Sequence, residues 1–153
     1  MKFICTVDIK LPVERVIQLF DNVDNLKHWQ DGFQRFEHIS GVPGETDAKS
    51  RIRYKTGKRD LEFIETIITR NLPDEFTALY EAKPMINTMN NRFNPLSENR
   101  TRHEAEIKYT EFNGFMVKMM ATLFPGIFKK KVQKWLNQFK AFCEESGLEN
   151  KMS

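Results

Sequence analysis

Two titratable side chains, Glu65 and His103, are the first candidates for chemistry in this sequence. A carboxyl and an imidazole facing a buried cavity make an acid–base pair, because burial raises a carboxyl pKa and tunes a histidine near neutrality. Such a pair serves enolisation or aldol cyclisation. A buried histidine more commonly hydrogen-bonds a neighbouring strand. The sequence does not show that the two residues are close, so both readings of His103 stay open.

Stronger chemical signatures are absent from the sequence. It has no paired metal-binding cysteines or histidines, zinc-protease helix, nucleophile elbow, phosphate loop or dinucleotide fingerprint. The three histidines occur in different predicted elements, without matched carboxylates or thiols near them. We therefore predict no metal site and no cofactor.

Composition and charge indicate a globular protein and bear on which partners it binds. The chain has 153 residues, 40% of them apolar and 29% charged, with a net charge of +3, as expected of one globular domain. Its basic stripe lacks aromatic residues on the same face, so we predict no nucleic-acid partner; the stripe comprises Lys49, Arg51, Arg53 and Lys55. Cys5 and Cys143 flank apolar residues and predict buried thiols in a reducing, cytoplasmic location.

The candidate residues must be positioned by the elements that the periodicity predicts. Alternation over Phe3 to Ile9 predicts a half-buried first strand, and Pro12 begins a short amphipathic helix that includes Val23. From position 33 to about 110, turn clusters separate consecutive strands, the last of these turns covering Pro95 to Asn99. A helical pattern follows up to Gly147.

The C-terminal helical region changes phase at Pro125-Gly126, which predicts two helices jointed there. Its first apolar stripe comprises Met116, Met120, Leu123 and Ile127, and we expect this stripe to be buried against the sheet. Gly147 is a plausible helix stop. We therefore predict a single domain over 1–147 and a tail over 148–153.

Strand parity predicts which side chains face inward. Met89 and Phe93 share their parity with Asn87 and Asn91, so all four should face the interior. The two amides either bond to neighbouring strands or orient the polar end of a ligand. Glu65 has the parity of apolar residues, although the opposite face of its strand is also partly apolar; the matching residues are Leu61, Phe63 and Ile67.

Two segments and the long final helix resemble the START-like superfamily, also called SRPBCC, and within it the polyketide cyclase/dehydrase-type proteins. The segments are LPVERVIQLFDNVDNLKHWQDG after the first strand and ISGVPGETDAKSRIRY across a turn. The resemblance implies an α+β, helix-grip fold, in which a curved antiparallel sheet wraps the C-terminal helix, with short helices between strands 1 and 2. It also implies an elongated, mostly apolar cavity for lipids, polyketides, quinones or similar molecules.

The expected function is binding or carriage of a small hydrophobic ligand in that cavity. The predicted ligand-binding residues are Tyr54, Phe63, Tyr80, Asn87, Met89, Asn91, Phe93, His103, Met120, Phe124, Phe128 and Trp135. A first alternative is a cyclase, aromatase or dehydratase that uses His103 and Glu65 on a polyketide-like substrate.

A second alternative is a membrane-associated lipid or quinone chaperone. Lys129, Lys130 and Lys131 follow an apolar joint, and this pairing of charge with apolar surface suits an anionic membrane. The ordinary interpretation of such a run is a solvated helix face. The oligomeric state is not predicted.

Overall fold

The computed structural model describes residues 1–152, and the side chains up to Glu149. Seven strands form one antiparallel sheet in the order β1-β7-β6-β5-β4-β3-β2. The strands are β1 (Lys2–Ile9), β2 (Phe33–Ser40), β3 (Lys49–Thr56), β4 (Arg59–Asn71), β5 (Glu75–Glu81), β6 (Met85–Ser97) and β7 (Arg100–Phe112). The helices are α1 (Val13–Phe20), α2 (Leu26–Trp29), α3 (Phe115–Leu123) and α4 (Gly126–Met152), with a 3-10 turn over Val23–Asn25.

The sheet is a meander from β2 to β7, closed by β1 pairing with β7. Register shifts interrupt the pairings of β2 with β3, β4 with β5 and β6 with β7. Such bulges bend a strand and increase its twist, so they help the sheet to curve. The predicted α+β fold, a curved antiparallel sheet with a long C-terminal helix, is confirmed.

The inner face of the sheet is defined by the core that it shares with α4. Cys5, Val7 and Ile9 of β1 are buried in one cluster with Leu136 and Phe139 of α4. The predicted alternation of β1 is therefore confirmed, and so are the buried, free thiols Cys5 and Cys143. The parity of every other strand follows from this face through the register.

The predicted joint between two C-terminal helices is confirmed, because α3 ends at Leu123 and α4 begins at Gly126. The predicted stop at Gly147 is wrong, since α4 continues to Met152 through the expected tail. A Cβ at Gly147 would lie 2.6 Å from Cδ2 of Leu11. The glycine therefore permits close packing of α4 on Leu11 instead of ending the helix.

Two further boundaries differ from the predictions. Helix α1 ends at Phe20, and Val23 lies in the 3-10 turn with its side chain exposed. Strand β6 continues through Pro95 to Ser97, because Pro95 and Ser97 still pair with Thr101 and Arg100 of β7. Within residues 1–152, no helix combines the length and apolarity needed to cross a membrane.

Candidate functional site

A row of polar side chains crosses the inner face of five consecutive strands. Cross-strand partners in this row are Ser50 with Glu65, Glu65 with Tyr80, Tyr80 with Asn87, and Asn87 with Tyr109. Directly opposed residues share a face and have Cβ atoms about 5 Å apart. We call Ser50, Glu65, Tyr80, Asn87 and Tyr109 the polar row.

Apolar rows lie on both sides of the polar row. One contains Ile52 opposite Phe63, and Met85 opposite Phe112. The other joins five strands through Ile67, Ala78, Met89, Ile107 and Phe3. Because residues two apart on a strand lie about 7 Å apart, a polar strip of one residue's width runs between two apolar strips.

The inner face remains accessible around the polar row and is sealed at the other end of the sheet. Glu65, Tyr80, Asn87 and Tyr109 each keep an intermediate exposure although they face inward. Farther along the same face, the inward residues are fully packed: Asn91 is 2% exposed, and Phe93 and His103 are 1% exposed. The concave face therefore has a closed core at one end and an accessible zone at the other.

Helix α4 lies over both ends of the accessible zone. Phe128 packs edge-on against Tyr109 and Phe112, with ring centroids 5.2 and 5.3 Å apart. Trp135 packs against Tyr54 at 5.5 Å. Phe128 and Trp135 are seven residues apart, about two helical turns, so they share one face of α4. They lie over the β7 and β3 ends of the zone, and Glu65, Tyr80 and Asn87 between these ends keep partial exposure.

Helix α3 covers less of the site than its apolar stripe predicted. Met119 and Met120 are half-buried, whereas Met116 is 56% exposed and Phe124 is 58% exposed. The stripe through Met116, Leu123 and Ile127 therefore faces solvent. The helical period was right, but Met120 is the one residue of the predicted stripe that is half-buried.

The electrostatics of the zone centre on Glu65. Burial raises the pKa of its carboxyl, and a hydrogen bond from the Tyr80 hydroxyl lowers it in part. Burial raises the pKa of Tyr80 well above its usual range, and the neighbouring carboxylate raises it further. None of the ion pairs among the described side chains includes Glu65.

Tyr54 belongs to the β3 side of the zone. Its hydroxyl donates a hydrogen bond to Oε1 of Gln30 at 2.7 Å, and its ring packs against Phe63 at 5.9 Å. Its phenol is therefore already partnered. The side chain forms an aromatic wall next to Trp135.

His103 lies in the sealed core, surrounded by aromatic rings. Its ring stacks on Phe93 at 4.5 Å and contacts Phe20 and Phe139 edge-on at 5.8 and 5.6 Å. Its Nε2 donates to Oδ1 of Asn91 at 2.8 Å. Burial lowers its pKa to about 3, so the imidazole is neutral at physiological pH. His103 thus takes the structural role that the sequence left open.

The structure does not bring the predicted acid–base pair together. Glu65 is on β4 and His103 on β7, three strand positions away, or about 14 Å across the sheet. Along the strand direction, His103 is also displaced from the polar row: it is six residues from Tyr109 on β7, which is about 20 Å. The two side chains have different hydrogen-bond partners, Tyr80 and Asn91.

The predicted ligand-binding residues divide among three places. Eight surround the accessible zone: Tyr54, Phe63, Tyr80, Asn87, Met89, Met120, Phe128 and Trp135. Asn91, Phe93 and His103 are packed in the core, and Phe124 is exposed at the α3–α4 joint. Ser50 and Tyr109 were not among the candidates, although strand parity places both inward; their membership of one row depends on register, which parity does not give.

Two surface depressions lie away from this zone. One, of about 590 Å³, is bordered by Lys10 to Pro12 and by Asn99 and Arg100. The other, of about 420 Å³, lies beside the outer edge of β1 near Arg102 and Lys140. Neither is bordered by a predicted site residue. Among the described residues, no group of three or more histidine, cysteine, aspartate or glutamate side chains is arranged to hold a metal ion.

Comparison with solved structures identifies the fold. The Zhui aromatase/cyclase from Streptomyces sp. R1128 superposes with a TM-score of 0.79 at 10% identity, covering 94% of this chain and 93% of that one. A protein from Thermus thermophilus gives 0.77 at 15% identity, with 95% and 99% covered. Major latex-like protein 151 from Panax ginseng gives 0.71 at 16%, with 93% and 96% covered.

Neither a family model nor a curated protein matches the sequence. At these identities the similarity establishes the fold, which is the helix-grip fold that the START-like resemblance implied. It does not transfer any residue's role.

Proposed function

We propose that the protein binds a small hydrophobic molecule between the concave face of the sheet and α4. The observation that carries this proposal is the accessible zone: Phe63, Met85 and Phe112 face inward yet keep partial exposure, whereas Phe93 and His103 on the same face are packed. Burial of apolar ligand surface there contributes about 25 cal/mol per Å². Pockets of this composition, apolar with a few polar groups, are typical of small-molecule sites.

The first test is a comparison of native and denatured mass. Gentle purification followed by native mass spectrometry should show a stoichiometric adduct that denaturation releases, or uptake of a supplied hydrophobic probe. A suitable panel contains a fatty acid, a naphthoquinone and an anthraquinone. A clean apo mass, with no uptake from the panel, would contradict the proposal.

A matched pair of variants locates the site. Asn87→Trp places a large ring in the accessible zone, whereas Thr88→Trp places the same ring on the opposite face of β6. We expect Asn87→Trp to weaken binding of any panel ligand by about 5- to 150-fold, because overfilling costs about 1–3 kcal/mol. Thr88→Trp should bind as the wild type does. Equal affinities, with both variants folded by circular dichroism, would place the ligand elsewhere.

The cyclase alternative lacks the pair of groups on which it rested. His103 is neutral, enclosed by aromatic rings and distant from Glu65, so it does not reach a ligand in the accessible zone. Two of the structurally similar proteins are described as aromatase/cyclases, but their similarity to this chain is one of fold alone. We therefore propose binding or carriage in preference to turnover.

A specific observation favours membrane contact as a second function. The outer face of α3 and the joint exposes large apolar side chains next to exposed lysines; Phe115 is 79% exposed and Leu123 is 61% exposed. An amphipathic surface of this kind partitions into the headgroup region of an anionic bilayer. A ligand carrier working at a membrane would use it while loading or releasing its cargo. We place the protein in the cytoplasm, because both of its thiols are free and buried.

A further inference from the structure

The polar row places hydrogen-bonding groups on the surface of the accessible zone. A purely hydrocarbon ligand would leave these groups without hydrogen-bond partners. The row supplies one polar group from each of five neighbouring strands. One flanking row adds the partly exposed Phe63, Met85 and Phe112, whereas Ile67, Ala78 and Ile107 of the other row are buried. A ligand lying along the strands therefore meets partly exposed apolar surface, then the polar row about 7 Å farther along, and then mostly packed core.

Glu65 is the one acidic member of the row, and its neighbours leave it with acceptor capacity. On β3 it faces Ser50, and on β5 it faces Tyr80, whose neighbouring hydroxyl lowers the pKa of the carboxyl in part. A carboxylate has about four lone-pair sites. No lysine or arginine of the described side chains forms an ion pair with it.

The other groups that face this carboxyl add no positive charge. Tyr54 carries a neutral phenol, whose pKa is raised by burial and by the charge of Glu65. The α4 side chains over the zone, Phe128 and Trp135, are aromatic. Lys131 lies about one helical turn before Trp135, but the charged group acting on it is Asp31. The carboxyl thus lies beside uncharged polar groups and aromatic rings, and no cation is among the causes of its pKa shift.

We propose that the accessible zone selects apolar ligands that carry a hydrogen-bond donor, a hydroxyl or an ammonium group, and that Glu65 is the acceptor. This inference rests on the proposed binding function and narrows its ligand class. A ligand without a donor would bury the carboxyl against hydrocarbon and leave its lone pairs unpartnered, which is costly.

Three probes of nearly equal size and shape test the inference. They are 9-methylanthracene, 9-anthracenemethanol and 9-(aminomethyl)anthracene, in which the substituent projects from the middle ring between two apolar rings. Dissociation constants from fluorescence titration should show at least tenfold tighter binding of the alcohol, the amine or both than of the methyl compound. Equal affinity for all three would overturn the inference while leaving hydrophobic binding intact.

Variants of Glu65 then identify the acceptor and distinguish the two donor classes. Glu65→Leu should abolish the advantage of both donors. Glu65→Gln keeps an acceptor but removes the charge, so it should spare the alcohol and weaken the amine. Glu62→Gln is the matched control, because Glu62 lies on the same strand and faces outward to Arg51 and Arg53; it should leave the three affinities unchanged.

The outcomes separate this inference from the proposed function. If none of the probes binds and the broader panel also fails, the binding function itself is wrong. If the probes bind but Glu65→Leu retains the wild-type ratio, the zone binds ligands and Glu65 is not the acceptor. Should Glu65→Leu not fold, the wild-type ratio and the Glu65→Gln variant still decide the matter.

Discussion

His103 illustrates how an aromatic environment determines what a buried imidazole can do. Three phenylalanine rings surround it, and the amide of Asn91 is its one hydrogen-bond partner among the described side chains. Nothing in this shell stabilises a positive charge. The residue is therefore kept neutral in the folded protein and contributes to stability through packing and one hydrogen bond.

This environment predicts an acid-sensitive fold. The unfolded chain protonates His103 below about pH 6.5, whereas the folded protein keeps it neutral until about pH 3. Between these values the unfolded state binds more protons, so the free energy of unfolding falls as the pH falls. The loss attributable to His103 is on the order of 5 kcal/mol across that window, at about 1.4 kcal/mol per pKa unit.

The measurement compares the wild type with His103→Gln, which does not titrate, by urea denaturation between about pH 7 and pH 4. The variant should be less stable at neutral pH, because it disturbs the packed rings. The difference between the two proteins should shrink steadily towards acid. Carboxylates such as Asp8, whose pKa the Arg102 guanidinium lowers, affect both proteins alike. Parallel stability curves would refute the assignment.

At the residue scale, the sequence was sufficient to predict the face of the sheet to which a side chain points. It was insufficient to predict the distance between side chains on different strands. Strand parity placed Asn87 and Glu65 on the inner face, because alternation along a strand is a local property. It did not show that Glu65 lies beside Tyr80, or that His103 lies far from both. Those relations depend on cross-strand register, which bulges shift and which a single strand's sequence does not encode.

At the element scale, the entry of the chain into β2 positions one wall of the site. Gly32 has a φ of +78°, and its carbonyl oxygen accepts a hydrogen bond from the Lys55 N–H at 2.7 Å. This contact holds the start of β2 against the end of β3, beside the bond from Tyr54 to Gln30. A Cβ at position 32 would lie 2.2 Å from the Lys55 carbonyl oxygen.

We therefore expect Gly32→Ala to be strongly destabilising, by about 3 kcal/mol or more, since it combines left-handed strain with a backbone clash. Gly44→Ala is the control. Its φ is +81°, but nothing lies within 4 Å of its added Cβ. That variant should lose only about 1–2 kcal/mol from strain. Urea denaturation measures both, and equal losses would show that the clash at Gly32 relaxes without cost.

The helices show a different limit of sequence reasoning. Periodicity predicted the joint at Pro125-Gly126 correctly, because proline lacks the N–H that a continuous helix requires. The apolar stripe of α3 was expected to be buried, since most amphipathic helices cover their apolar face with the core. A stripe identifies a face but not its partner. Gly147 was misread for the same reason, because its packing against Leu11 is a tertiary contact.

At the scale of the whole molecule, charge is distributed unevenly along the chain. The net charge is only +3, yet residues 112–143 contain six lysines and no aspartate or glutamate. Two of these lysines are paired, Lys134 with Asp31 and Lys140 with Glu144. Lys129 and Lys130 are exposed beside the apolar side chains of the joint. One side of the molecule therefore presents positive charge and exposed apolar surface together.

That arrangement predicts binding to anionic vesicles. Each lysine near an anionic surface contributes about 1 kcal/mol, and the attraction decays within the Debye length, about 10 Å at 0.1 M salt. We expect the protein to float with phosphatidylcholine vesicles containing phosphatidylglycerol, and not with pure phosphatidylcholine. Raising the salt to about 1 M should release most of the protein, because the Debye length then falls to about 3 Å.

Two double variants separate the electrostatic from the apolar contribution to this binding. Lys129→Glu with Lys130→Glu should reduce vesicle binding at least tenfold, since it replaces attraction by repulsion. Leu123→Ser with Phe124→Ser should reduce it at every salt concentration, because it removes exposed side chains that would enter the interface. The control, Lys55→Glu with Lys58→Glu, makes the same change of charge at the end of β3 and in the β3–β4 turn and should bind normally. If that control loses binding equally, the attraction reflects net charge alone and the α3–α4 joint is not the membrane-binding surface.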